Sequence, residues 1–294
     1  MERWGVARSL TTVVLVVGIA LGTPGASAAP PEPIEHDALG DSYASGYGVP
    51  PYDGRCGRSA AAPAARLDGR MRIDLDDFVA CAGATTVSLM AGGQLDSLDA
   101  DTRLVTLSIG GNDVGWSQPV TACLVGDDAR CAGALDATSG RISTVLPVLL
   151  DWVYAQVSAR APQAHVVVTG YPRLFSPEHG PFLRASAAEQ EALNEAADLL
   201  NDVIAEGAAA HGFQFVDVTQ RFLGHGVNAP DAWILGPQEP GAFHPDADGY
   251  AAYAGAVTAA INPTQIRWPR APRRSGGTSR PSRRTGPAGA GSPR

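Results

Sequence analysis

The sequence predicts an α/β fold: a five-stranded parallel sheet with helices covering both faces. Strand-like and helix-like stretches alternate from about residue 32 to 264, the pattern of parallel strands joined by helical crossovers. Three of the strand candidates are near-continuous apolar runs, as strands buried on both faces must be. The 294 residues, 45% of them hydrophobic, suffice for a sizeable core.

In chain order the strand candidates are 34–39, 77–80, 104–109, 165–169 and 213–218. The first is the weakest, because Glu35, His36 and Asp37 interrupt its apolar character. A helix is expected over 141–159, where Ile142, Val145, Leu149, Trp152, Val153 and Val157 recur; Pro147 should kink it or move its start. Another is expected over 187–210. There Ser186 and Glu189 have capping-box spacing, Leu193, Ala197, Leu200 and Ile204 share one face, and Gly212 lies past the end. A last helix should run from about 246 to 261. Segments 46–72 and 116–138 read as long loops, each containing cysteine, and no internal repeat is visible.

The chain ends read differently. Arg3 and Arg8 form a positive head, residues 10–21 are almost uninterruptedly apolar, and Gly25-Ala26-Ser27-Ala28 supplies small residues. Residues 1–28 are therefore expected to be a signal peptide cleaved after Ala28, leaving a secreted, extracellular protein. A dozen apolar residues fall short of the ~20 that span a bilayer, and no later segment qualifies. From Arg267 the composition shifts to Arg, Pro, Gly and Ser, so 267–294 are expected to be a disordered tail. The tail is either merely solvated or an electrostatic tether to anionic cell-surface polymer. All 22 basic residues are arginine. With eight arginines and no acid in the tail, and one net positive charge in 1–28, the net −8 leaves −17 on residues 29–266. Such an acidic body argues against nucleic-acid binding.

Four cysteines, Cys56, Cys81, Cys123 and Cys131, follow the export signal, and an even count there reads as two disulfides. Of three possible pairings, proximity favours Cys56–Cys81 and Cys123–Cys131. A zinc site is disfavoured, because no Cys-x-x-Cys pair and no histidine at ligand spacing occurs.

In a parallel sheet, ligands bind beyond the carboxyl ends of the strands. The first strand ends in Leu39-Gly40-Asp41-Ser42, the second in Cys81-Ala82-Gly83-Ala84-Thr85, the third in Gly110-Gly111-Asn112-Asp113. A late loop delivers Phe243-His244-Pro245 just before the last helix. These are the parts that acyl transfer needs. The Ser42 hydroxyl attacks if a base, for which His244 is the candidate, takes its proton. The resulting oxyanion needs donors already aimed at it, and the backbone N–H groups of Ser42 and Gly83 with the Asn112 amide are the candidates. Glycine at 83 is expected to let the backbone approach without a Cβ in the way. Asp41 and Asp113 read as loop ties accepting backbone N–H bonds, with contact to the site the alternative for either. Tyr43, Tyr47, Trp116, Phe175, Trp233 and Phe243 are candidates for an acyl pocket, with core packing the alternative for each. His36, His165, His179, His211 and His225 read as structural or exposed.

Ser42 in GDSYASG, Gly83 in CAGAT, Asn112 in SIGGNDVG and His244 in FHPDADGY together resemble the four blocks of the SGNH (GDSL) hydrolase superfamily. They span nearly the whole of residues 29–266 in the right order, and look closest to secreted bacterial lipases, phospholipases and esterases. The resemblance implies a flavodoxin-like α/β/α sandwich. It also implies that the four residues serve as nucleophile, two oxyanion donors and base. Many members carry an acid three positions before the histidine. Here that position is Gly241, and the expectation is that its backbone carbonyl orients His244 in place of a carboxylate.

The leading expectation is a monomeric secreted esterase or lipase acting on acyl or lipid esters without cofactor or metal. A polysaccharide O-deacetylase, and a non-catalytic protein held on surface polymer by its tail, remain alternatives. An apolar channel would favour acyl chains, an aromatic groove sugar.

Overall fold

The computed structural model describes residues 32–261, with Met1 and Ile266. The expected signal peptide and the 267–294 tail, apart from Met1, lie outside the described residues.

Strand β1 (Ile34–Gly40) lies between β2 (Ile73–Phe78) and β3 (Leu104–Ser108); β4 (His165–Thr169) and β5 (Gln214–Val216) follow. Among the described residues these five form one parallel sheet in the order β2-β1-β3-β4-β5. That is the flavodoxin-like order, whose reversal point lies between β1 and β3.

Two buried polar residues of β1 find partners on neighbouring segments, although His36 Nδ1 has none among the described residues. Thr106 on β3 pairs with His36 Nε2 at 2.9 Å. Asp37 accepts bonds from the Thr102 hydroxyl at 2.7 Å and the Asp77 N–H at 3.2 Å. Burial pushes the His36 imidazole down to about 3, so it packs as a neutral group.

Four expectations about the elements need correction. The second strand covers 73–78 rather than 77–80. It lies at the sheet edge and alternates Ile73 and Leu75 with Asp74 and Asp76, a period-2 pattern with acids outward that a search for apolar runs passes over. Strand β5 is shorter than 213–218. The Phe213 N–H turns back to Ala208 O at a helix end, and Asp217 starts a turn by accepting the Thr219 N–H. Segment 116–138 is not a loop. It holds α4 (Ser117–Val125) and the first turns of α5 (Asp128–Thr144), the latter N-capped by Asp127. Helix α5 buries only Cys131, Thr138 and Ile142, too thin a stripe for hydrophobic periodicity to reveal.

Segment 46–72 is likewise not all loop. It contains a minimal hairpin pairing Tyr52–Asp53 with Arg58–Ser59, and the short helix α2 (Pro63–Leu67); another short helix, α3 (Thr86–Ala91), lies between β2 and β3. Pro147 starts a new helix, α6 (Leu146–Arg160), bent 42° from α5. Helix α7 (Ala187–Ala210) has the expected capping box, and α8 (Ala247–Ala260) is capped by Asp246. Among the described residues no single helix is long and apolar enough to cross a membrane. Both disulfides form: Cys56–Cys81 joins two loops, and Cys123–Cys131 joins α4 to α5.

Candidate active site

At the carboxyl end of β1 the Gln94 side chain acts as a missing peptide neighbour. Its Oε1 accepts the Gly40 N–H at 2.8 Å and its Nε2 donates to Gly40 O at 3.0 Å. Asp41 then donates its N–H to Ser108 O on β3, and its carboxylate caps the turn by accepting the Tyr43 N–H at 3.0 Å. Ser42 opens that single helical turn, α1 (Ser42–Ser45). The Tyr250 hydroxyl of α8 lies 3.2 Å from Ser42 O and 2.8 Å from Tyr47 O, tying the turn from the other side. Ser42 is 8% exposed.

His244 reaches Ser42 from the loop before α8. Residues 243–246 bracket 233–235: Leu235 N–H donates to His244 O, Phe243 N–H to Leu235 O, and Asp246 N–H to Trp233 O, each at 2.9 Å. Gly241 has φ +88°, and a Cβ on it would lie 2.5 Å from the Gly48 backbone, so conformation and space both demand glycine. Phe243 also sits at a positive φ, +62°, held by the Tyr43 hydroxyl donating to its carbonyl at 2.6 Å. The His244 Nδ1–H points at two carbonyls, Gly241 O and Ala242 O, each 3.1 Å away. That fixes the tautomer and leaves Nε2 to accept from the Ser42 hydroxyl at 2.7 Å. Ala242 is an acceptor that the sequence reading did not include. Of the nearby acids, Glu239 accepts the Gly236 N–H and Asp246 caps α8.

Burial lowers the His244 pKa from its ordinary 6.5, and the two carbonyl contacts pull weakly the other way. The imidazole is therefore neutral at pH 7, as a proton acceptor must be. The buried Asp41 carboxyl is raised to about 6 by the same desolvation, opposed by its hydrogen bonds.

Asn112 and Gly83 occupy the exposed rim. Asn112 Nδ2 donates to Ala84 O at 2.9 Å, and the next residue, Asp113, accepts the Thr86 N–H at 3.0 Å and its hydroxyl at 2.7 Å. The loop after β3 is thus stitched to the loop after β2. Ser42, Asn112 and His244 line one cavity; Gly83 lines a second hollow, with Gln94 and the Cys56–Cys81 bridge. A Cβ at Gly83 would meet nothing within 4 Å, whereas its φ is +81°. Left-handed geometry by itself favours glycine at this position.

The cavity in front of Ser42 measures about 170 Å³ and is walled by Trp116, Val120, Leu174, Ala197, Leu200 and Phe243. Tyr43 lines it too, but the other aromatic candidates do not. Tyr47 meets the His244 ring edge-on, Phe175 packs near Phe243, and Trp233 stacks on His225 with centroids 3.6 Å apart. The sequence also gave no signal for Tyr171, Gln94 and Tyr250, whose roles lie in distant partners.

The chain is thus an α/β/α sandwich with a hydrogen-bonded serine–histidine pair at the reversal point of a flavodoxin-like sheet. The chain matches the GDSL-like lipase/acylhydrolase family over residues 38–252 and belongs to that family, which makes it a carboxylic ester hydrolase. Lipase 1 of Streptomyces coelicolor is 38% identical over 239 residues, 80% of this chain and 88% of that one. Among solved structures, phospholipase A1 from Streptomyces albidoflavus NA297 is 36% identical with a TM-score of 0.73, covering 77% of this chain and 99% of that one. The extracellular lipase from Streptomyces rimosus is 35% identical with the same TM-score and the same coverage.

Proposed function

We propose that the protein is exported, with residues 1–28 removed, and hydrolyses acyl esters of lipid type through an acyl-enzyme on Ser42. His244 Nε2 takes the Ser42 proton as Oγ attacks the ester carbonyl, then returns it to the departing alcohol. Water, deprotonated by the same nitrogen, cleaves the acyl-enzyme. The observation that carries this reading is the 2.7 Å Ser42–His244 bond with Nδ1 held by Gly241 O and Ala242 O. The developing oxyanion is met by the N–H groups of Ser42 and Gly83 and by the second amide hydrogen of Asn112, the first being used on Ala84 O.

The choice of acyl over sugar esters rests on the cavity. Its walls are mainly apolar, and a cavity of about 150 Å³ with such a lining takes up benzene. The relatives named as lipases and phospholipase A1 support the same substrate class.

A chromogenic ester series of rising chain length, run beside acetylated xylan, tests the substrate. Acyl chains longer than acetyl should give the higher kcat/KM; preference for acetylated xylan would replace the reading with a polysaccharide O-deacetylase. Ser42→Ala should abolish turnover and labelling by a fluorophosphonate, and label found on another serine would overturn the mechanism.

A further inference from the structure

Tyr171 lies just beyond β4, in the cavity wall, and is gripped at both ends. Asn201 of α7 accepts its N–H and donates to its carbonyl, both at 2.8 Å. Its phenol donates to Asp41 Oδ2 at 2.5 Å, while the Gly111 N–H donates to the phenol oxygen at 3.1 Å. Burial and the neighbouring Asp41 charge hold the Tyr171 pKa well above 10, so the phenol keeps its one proton for Asp41 and offers a lone pair to Gly111. Its ring meets Tyr43 edge-on at 5.1 Å, and Tyr43 in turn lies over His244 at 5.1 Å. One side chain therefore touches the residue before Ser42, the residue before Asn112, and the ring that covers His244.

We propose that Tyr171 is a positioning residue for acyl transfer, its hydroxyl coupling the Ser42 turn to the Asn112 loop. The proposal rests on the reading of Ser42 and Asn112 given above. It assigns Tyr171 no contact with the reacting atoms. Without the phenol oxygen, Gly111 N–H and Asp41 Oδ2 both lose a buried partner, and the two loops are free to settle independently. Misplacement by about 1 Å costs as much as 10²-fold in rate.

The test is Tyr171→Phe, which removes one oxygen and keeps the ring. Its kcat should fall roughly 10- to 100-fold with KM changed less than about 3-fold. Placed in an Asn112→Ala background, the same substitution should cost much less, because the donor it positions is gone. Tyr154→Phe is the control: Tyr154 is a buried α6 tyrosine whose hydroxyl has no partner among the described residues, and kcat should not change. If Tyr171→Phe does not fold, Asp41→Asn, whose single amide oxygen cannot take both the Tyr43 N–H and the phenol proton as the two carboxylate oxygens do, should show the same kcat-only loss. An unchanged kcat, an equal fold-loss in both backgrounds, or an equal loss in Tyr154→Phe overturns the proposal. Failure of a fluorophosphonate to label Ser42 in the unsubstituted protein would instead sink the reading beneath it.

Discussion

Ser42 and His244 sit among buried or half-buried partners, whereas Gly83 and Asn112 stand at the exposed rim, and the two pairs are held by different means. The first pair is fixed from below and behind, by Gln94 on Gly40, by Tyr250 on Ser42 O, and by the backbone bracket around His244. The second pair hangs on bonds between two loops and on the Cys56–Cys81 bridge, reinforced by the Ala82 N–H donating to Cys56 O at 2.8 Å. On the proposed mechanism, packing would preorganise proton transfer, while part-buried links between loops would preorganise charge stabilisation. Apart from the link that Tyr171 makes between them, the two should be separable by experiment.

Loss of the buried pair should be the most damaging. His244→Ala should lower kcat on the order of 10⁶-fold, nearly as much as Ser42→Ala, because nucleophile and base act as a unit. A loss of under about 10²-fold in steady-state kinetics would remove His244 as the base.

At the rim the losses should be smaller and confined to kcat. Asn112→Ala should reduce kcat by about 10²–10³ with little change in KM, the effect of one missing donor where charge develops. An unchanged kcat would leave Asn112 a loop tie only, through its bond to Ala84 O.

Reduction sharpens the contrast. The Cys56–Cys81 bridge closes a separation of 25 residues and Cys123–Cys131 one of 8. On the loop-entropy model they stabilise by about 3.5 and about 2.5 kcal/mol. Mild reductant should lower Tm and also kcat, by about 10-fold for a loosened rim donor, while fluorophosphonate still labels Ser42. If labelling falls in step with kcat, the two halves are not independently held.

The smallest effects concern what supports His244. Glu239→Gln, Asp246→Asn and Asp248→Asn should each lower kcat far less than the ~10⁴-fold seen when a true triad acid is amidated. Because a depressed pKa keeps the imidazole neutral to lower pH, kcat/KM should hold as pH falls past 6.5 and decline only below it. An acid limb centred above 6.5, or one amide variant without activity but still folded, would restore a carboxylate partner.

What the sequence made legible follows from how local each signal is. The α7 boundaries rest on the capping box at Ser186 and Glu189 and on a 3.6-residue apolar stripe, and both survive in the structure. The four blocks carrying Ser42, Gly83, Asn112 and His244 are short contiguous motifs at strand or helix ends. In contrast, β2 took its place by pairing with β1, and its outward acids hid it. Helix α5 leans on a disulfide and on Asp127 rather than on a broad apolar face. Tyr171, separated from Asp41 by 130 positions, has its function written only in three dimensions.

The carboxamides that stand in for peptide neighbours link this architecture to chemical ageing. Besides Gln94 and Asn201, Asn194 accepts the Phe175 N–H and donates to Phe175 O, and Asn228 does the same for Ser176. Each works because an amide carries a donor and an acceptor side by side. Deamidation would replace the donor with a second acceptor and turn a clasp on a backbone carbonyl into a repulsion. Loss of ammonia from any one of them would therefore loosen the backbone around the site, although none of the four lines the cavity in front of Ser42.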